Sequence, residues 1–170
     1  ALKMTMKSAP VGGWGEVYMM SQVLRKSGYL ALFVFLGALS QAAAQDVIIS
    51  ELMAVNNGTI EDEDGNTPDW VEIFNAGDTA QNLSGYFLTD DPLVPEKWRF
   101  PSVSIAPGGF LLVFASDKDR RVAGSELHAN FKLSSSGEFL GLIAPDGETL
   151  VDQVAPFPAL IAGFSYGISQ

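Results

Sequence analysis

The sequence predicts an all-β fold, a mostly antiparallel β-sandwich of about 8 or 9 strands, with a closed barrel as the alternative. Three observations support this prediction. After residue 45, no window of the sequence shows a sustained helical period in its apolar residues. Short runs of β-branched and aromatic residues recur along the chain. Glycine, proline, asparagine and aspartate separate these runs at a spacing typical of sandwich strands.

An apolar run of 11 uncharged residues, Tyr29–Leu39, precedes this pattern, behind Arg25 and Lys26. Small residues of the A-x-A type follow it and end at Ala44. This order is typical of a secretory signal peptide, whereas a membrane span needs about 20 apolar residues. We therefore predict a signal peptide at residues 19–44, cleaved after Ala44; a buried helix and a retained membrane anchor are the alternatives.

The predicted product is a secreted, extracellular or cell-surface protein with no transmembrane helix after cleavage. Residues 1–18 fit no part of a signal peptide. We interpret them as a non-native upstream extension, with translation starting at Met19 or Met20.

The predicted mature part, residues 45–170, is strongly acidic. It holds 19 of the 20 Asp and Glu residues but only 6 of the 10 Lys and Arg residues, a net charge of about −13. Such a charge repels a phosphate backbone, so nucleic acid is not an expected partner. The length predicts one domain, large enough to build a core without disulfides, and the chain has no cysteine.

The predicted strands follow in order along the mature part. They are residues 45–55, 69–75, 82–89, 97–100, 110–115, 130–133, 138–144, 149–154 and 164–168. In the first, Ile48, Leu52 and Ala54 are expected on one face and Val47, Ile49, Glu51 and Met53 on the other. In the second, Val71 and Ile73 are expected to point into the core, and Trp70, Glu72 and Phe74 away from it. The apolar run 110–115 predicts a central strand covered on both faces.

The acidic loop before the second strand, residues 59–68, is the strongest candidate for a specific site. Calcium takes 6–8 oxygen ligands, and Asp62, Asp64, Asn66 and Asp69 can supply some of them, while Gly65 allows a sharp bend. The spacing differs from that of an EF-hand. The alternative is a solvated acidic turn in which Asp69 or Asn66 bonds nearby backbone. No other cofactor is expected.

Two catalytic patterns receive little support. Gly163–Gly167 matches G-x-S-x-G, but that motif needs a following helix and a downstream histidine, whereas the only histidine, His128, lies upstream. A turn into a strand is the expected structure there. His128 is expected to be a loop histidine that bonds a backbone group or caps a turn, with a role in a catalytic dyad or in metal binding as the alternative. Zinc sites of the usual ligand sets are not expected. The chain is not expected to be an enzyme.

Four aromatic residues raise the alternative of carbohydrate binding. They are Trp70, Phe74, Tyr86 and Trp98. An exposed platform of such rings could hold a sugar, although aromatic residues in a sandwich more often belong to the core.

Several short motifs resemble, in the same order, those of bacterial lamin-tail domains. They are Ile49–Asn56, Asp62–Gly65 with Asp69–Asn75, Leu83–Asp91, Trp98–Pro101, Ile105–Leu111, Leu127–Ser134, Pro145–Gly147 and Ser165–Gly167. The resemblance covers residues 47–167 and implies an immunoglobulin-like sandwich. Members of the family continue past the last motif to a further strand, so the resemblance implies a chain truncated at its C-terminal end or the front of a longer protein.

Bacterial members of that family are typically secreted and often stand beside hydrolase or surface domains. The resemblance thus implies a non-catalytic interaction, tethering or spacer module of a surface or extracellular protein. Its partners would be other domains of a longer chain or a surface protein. The alternatives are an N-terminal accessory domain of a larger secreted hydrolase and a calcium- or carbohydrate-binding module.

Overall fold

The computed structural model of the protein describes residues 46–167. The predicted upstream extension, residues 1–18, and the predicted signal peptide, residues 19–44, lie outside the described residues, as does residue 168 at the end of the last predicted strand. The described range folds into strands and loops without a helix, so it holds none that could cross a membrane. The predicted all-β class is confirmed.

Residues 46–167 contain eleven strands, which form two large sheets and one small one. The strands are β1 (Val47–Met53), β2 (Asp69–Asn75), β3 (Gln81–Asn82), β4 (Phe87–Thr89), β5 (Trp98–Arg99), β6 (Ser104–Ile105), β7 (Phe110–Ala115), β8 (Leu127–His128), β9 (Leu140–Ile143), β10 (Leu150–Val154) and β11 (Tyr166–Gly167). The first sheet has the order β11-β1-β2-β7-β8, the second the order β10-β9-β4-β5, and β3 pairs with β6. The pairing of β7 with β8 is parallel, and the other pairs are antiparallel.

The core lies between the two large sheets. One apolar cluster joins buried side chains of the first sheet with those of the second, among them Leu52, Val71, Ile73, Val113, Leu88, Trp98, Leu140 and Leu142. Each such side chain contributes about 1.5–3 kcal/mol by leaving water. The sheets are also joined at one edge, where the backbone N–H of Ile49 in β1 donates to the carboxylate of Asp152 in β10 at 2.7 Å.

Strand β2 lies at the centre of the first sheet and matches its predicted bounds. Val71 and Ile73 are buried in the core, as predicted, and Trp70, Glu72 and Phe74 lie on the opposite, outer face. Asn75 ends the strand. Its buried side-chain amide donates to the backbone carbonyls of Thr79 and Ile105, at 2.8 and 3.0 Å, and so ties the strand end to two loops.

The predicted faces of β1 are wrong because the strand contains a β-bulge. The register with β2 shifts between Ile49 and Glu51, so that two residues oppose Glu72. Val47 and Ile49 face the core before the bulge, and Leu52 faces it afterwards. Strict alternation had placed Leu52 opposite them, because it assumes an unbroken ladder.

Two other strand predictions need correction. The predicted strand 82–89 is divided by Gly85, whose φ of 85° belongs to the left-handed region, into β3 and β4. The predicted strand 130–133 is not a strand; the pairing lies earlier, at Leu127 and His128 in β8. The division of strand 82–89 and the unpredicted β6 each add one strand to the nine predicted, which gives eleven in the described residues.

Candidate functional site

The acidic loop folds around the carboxylate of Asp62. This side chain is fully buried, and its Oδ1 accepts the backbone N–H groups of Asp64 and Asn66, both at 3.0 Å. The backbone N–H of Gly65 donates to the Asp62 carbonyl at 2.8 Å, and Gly65 adopts a φ of 73° that favours glycine. Asp62 thus accepts hydrogen bonds from three backbone N–H groups of its own loop.

Two cations from the β7–β8 connection pair with this loop. The Lys118 ammonium contacts the second oxygen of Asp62 and lies 2.6 Å from Asp64. The Arg120 guanidinium lies 2.6 Å from the same Asp64 carboxylate and also contacts Glu63. The network therefore joins two segments that are more than 50 residues apart in sequence.

The backbone of the β7–β8 connection is unusual where it carries these cations. Asp117 and Asp119 have φ angles of 66° and 52°. Aspartate tolerates this left-handed region better than most residues. Lys118 and Arg120 alternate with these two, and both reach the acidic loop.

His128 extends the network from the end of β8. Its ring is fully buried and stacks on Phe114, with ring centroids 5.1 Å apart. Nδ1 lies 2.8 Å from the Ser116 hydroxyl, and Nε2 lies 3.1 Å from the Glu63 carboxylate. The expectation of a loop histidine bonded to a backbone group is therefore wrong, since the imidazole bonds two side chains.

The network shifts the pKa values of its carboxyl groups. Burial raises the pKa of Asp62, but the Lys118 ammonium and the loop N–H groups outweigh burial and hold it below its usual range. Arg120, followed by Lys118, lowers the pKa of Asp64. The Glu63 and Glu126 carboxyl groups share a hydrogen bond, which lowers the pKa of Glu63 and raises that of Glu126.

The structure brings together only part of the predicted calcium site. Asp62 and Asp64 converge, but their carboxylates face Lys118 and Arg120. The Asn66 side chain lies 3.5 Å from Asp62 and points its amide nitrogen toward that carboxylate. Asp69 does not contact Lys118 or Arg120 as Asp64 does; it lines a cavity of about 410 Å³ that Asn66, Ser116 and Lys118 also line. Calcium binding by these four residues stays a prediction.

The outer face of the first sheet has a covered end and an open end. At the covered end, Met53, Trp70 and Phe114 are buried, with Ile60 of the acidic loop packed against them. At the open end, Ile48 pairs with Phe74 and Phe74 pairs with Phe110 across the three central strands.

Phe110 is 54 % exposed at that open end and stacks on Phe74 with the centroids 4.7 Å apart. We call Ile48, Phe74, Phe110 and the adjoining Leu112 the apolar face. The prediction that β7 is covered on both faces is therefore right for Phe114 and wrong for Phe110.

The geometry of the fold agrees with the comparison to known families. The family model described as Lamin Tail Domain matches residues 40–157. The chain belongs to the lamin tail domain family. This family has a non-catalytic, immunoglobulin-like fold, as the motif order had indicated. The comparison with curated proteins finds no significant match.

The lamin tail domain does not gather the four aromatic residues of the carbohydrate-binding alternative into an exposed platform, and Tyr86 is partly buried against the core. Trp98 is fully buried in the core, where its ring packs edge-on against Phe100, and Trp70 is buried on the outer face. Phe74 alone of the four belongs to the apolar face. The buried rings stabilise the domain and are not available to a sugar.

The segment matching G-x-S-x-G is a turn into a strand, as predicted. The backbone N–H of Gly163 donates to the Val55 carbonyl at 3.0 Å, and β11 follows. A Cβ atom at Gly167 would lie 3.0 Å from the carbonyl oxygen of Ser50, so the glycine allows β11 to approach β1.

The cations of the site were not predicted from the sequence. Lys118 and Arg120 lie in a charged segment that resembles an ordinary solvated loop, and Glu126 follows the same segment. No feature of this segment in the sequence identifies the carboxylates with which the two cations pair. One signal was present: Asp117, Lys118, Asp119 and Arg120 alternate in charge, which is typical of a segment laced with salt bridges.

We predict that Lys118→Met lowers the free energy of unfolding by about 1–3 kcal/mol, because it leaves the buried Asp62 carboxylate without its cation. Arg121→Met is the matched control, since Arg121 pairs with Asp119 at an exposed position and such pairs contribute at most about 1 kcal/mol. Urea denaturation at pH 7 measures both.

The double variant Asp62→Asn with Lys118→Met should recover part of this loss, because the loop then holds no unpaired charge. A Lys118→Met variant no less stable than Arg121→Met would contradict the argument.

The burial of Asp69 makes the stability of the domain depend on pH. Burial raises its pKa to about 6, while the backbone amides of Leu133 and Asn56 partly offset this. The folded state then binds a proton more tightly than the unfolded state, so stability falls as the pH rises from about 4 through about 6.

We expect Asp69→Asn to be more stable than the wild type at pH 7, by roughly 1–2 kcal/mol after allowance for solvent screening. The difference should vanish as the pH falls to about 4. Urea denaturation across this pH range, with the exposed Asp78→Asn as control, measures it. A difference that stays constant with pH would show that burial of Asp69 is not its cause.

Proposed function

We propose that this lamin tail domain is a secreted, non-catalytic interaction module that binds a protein partner through its apolar face. The observation that carries the proposal is the exposure of Phe110, a large aromatic ring on a rigid central strand, beside the partly covered Phe74. Aromatic side chains of this kind are the usual anchors of protein interfaces.

The physical argument concerns the position of the rings. Leaving apolar surface in water forgoes about 25 cal/mol for each Å². The stacked pair lies on β2 and β7, which are bonded along their lengths, so binding orders little backbone. A preorganised, apolar patch of this kind loses little entropy when it docks, and that favours affinity.

The charge of the domain supports a specific kind of partner. Glu72 lies beside Leu112 on the same face, and Glu51 opposes Glu72 across the sheet. Residues 45–170 carry a net charge of about −13. A partner surface that combines an apolar side chain with flanking Lys or Arg residues complements both features, and opposite charge accelerates its approach.

A pure spacer module is the competing function, and the apolar face argues against it. A spacer gains nothing from exposed aromatic rings, which promote non-specific association. The acidic loop covers the other end of the same sheet face with Ile60, so the fold is able to bury such rings. No described loop covers the open end as the acidic loop covers the other end, and this difference supports a role in recognition.

Photo-crosslinking tests the proposal in the source cells. A benzophenone amino acid placed at position 110 should crosslink to a discrete partner, because its side chain lies in the interface. The same amino acid at position 93 is the control, since Leu93 is 88 % exposed in a loop. Crosslinks that are equal at both positions, or absent at both, would favour the spacer function.

Secretion is tested separately. The extracellular product should begin at Gln45, because the A-x-A pattern ends at Ala44. N-terminal sequencing of the protein recovered from the medium and from the cell surface measures this. A product that remains inside the cell with its apolar segment intact would exclude a secreted module, while the crosslinking result would still report on the apolar face.

A further inference from the structure

We propose that His128, Glu63 and Glu126 form a binding site for a divalent transition-metal cation of the zinc class. One ligand atom from each residue lies within 4.8 Å of the others. The set combines one imidazole nitrogen with carboxylate oxygens, and zinc accepts both kinds of ligand. This inference does not depend on the apolar face or on secretion.

The imidazole is held in the orientation that a ligand needs. Phe114 packs against the ring, and the Ser116 hydroxyl lies 2.8 Å from Nδ1. Histidine ligands of metals generally use their second ring nitrogen in such a hydrogen bond, which fixes the ring and its tautomer. The tautomer that donates Nδ1–H to Ser116 leaves the lone pair of Nε2 available to the metal, which takes the place of the proton that Nε2 shares with Glu63 in the metal-free site.

The separation of the ligand atoms suits a metal ion. A tetrahedral zinc site with ligands at 2.0–2.2 Å places two ligand atoms about 3.3 Å apart. His128 Nε2 and Glu63 Oε2 are 3.1 Å apart. Arg120 contacts Oε1 of Glu63, the other oxygen, so the metal can bind Oε2 without displacing the guanidinium. Glu126 is anchored beside them because its Oε2 accepts the backbone N–H of Glu63 at 2.7 Å.

The charge of the cluster independently favours a cation. The network holds four carboxyl groups, of Asp62, Glu63, Asp64 and Glu126, and two cations, of Lys118 and Arg120. The carboxyl groups outnumber the two cations, so a divalent ion beside Glu63 and Glu126 offsets part of the excess negative charge. Glu63 and Glu126 are exposed, so an ion can enter from solvent and keep one or more waters as further ligands.

The chain allows a direct test because His128 is its only histidine. The full chain, purified with a histidine-free tag and treated with a chelator, is titrated with Zn²⁺, Ca²⁺ and Mg²⁺ by calorimetry. The imidazole nitrogens are followed by ¹⁵N NMR. We expect one equivalent of Zn²⁺ to bind more tightly than Ca²⁺ or Mg²⁺ and to shift the resonance of Nε2 rather than Nδ1.

Glu126→Gln is the informative variant, because its amide oxygen can still accept the Glu63 N–H and preserve the fold. It should bind Zn²⁺ at least tenfold more weakly, whereas Glu148→Gln, at another exposed position, should bind as the wild type does. Unmoved imidazole nitrogens at saturating Zn²⁺ would overturn the proposal. Equal affinity of the Glu126→Gln and Glu148→Gln variants would overturn the assignment of Glu126.

Discussion

Strand β2 is bonded along its whole length to β1 on one side and to β7 on the other, and the rest of the domain depends on this double pairing. The pairing places Val71 and Ile73 over the core, where they meet side chains of the second sheet. It also places Trp70, Glu72 and Phe74 on the outer face, in register with Phe114, Leu112 and Phe110 of β7. Because cross-strand neighbours share a face, a single register determines both the core and the surface.

The outer face of the first sheet carries apolar side chains, and the fold covers them at one end only. Three paired strands with apolar residues on both faces need cover on the outside as well as the inside. The acidic loop supplies it over Trp70, and Asn56 holds the loop closed, since its side-chain amide donates to the carbonyls of Ile60 and Pro68 at 2.6 and 2.9 Å. Lys118 and Arg120 tie the same loop to the end of β7. The ion pairs therefore hold a hydrophobic cover in place, and their contribution to stability includes the burial of Trp70.

The sequence pattern predicted correctly those strands whose bounds depend on nearby residues alone. β2 and β7 were found at their exact bounds because their composition and flanking turns are sufficient to define them. The faces of β1 were not found, since a bulge inserts one residue without any sequence sign stronger than Ser50, whose hydroxyl bonds the Glu72 carboxylate at 2.7 Å. Only one of the two segments that form the site was predicted from the sequence. Its acidic loop is visible in sequence, whereas its cations and His128 come from segments more than 50 residues away, and only the tertiary fold brings them together.

His128 contacts both the acidic loop and the outer face of the first sheet. A fully buried imidazole is costly unless both nitrogens are bonded, and here they bond Ser116 on one side and Glu63 on the other. The ring thus links the β7–β8 connection to the loop that covers Trp70, and it stacks on Phe114, the cross-strand neighbour of Trp70. Any cation held between His128 and Glu63 would tighten the loop over the covered end of the sheet and leave the apolar face at the other end unchanged. The covered end and the apolar face, for which we propose recognition, therefore lie at opposite ends of the same three strands, and both depend on the register of those strands.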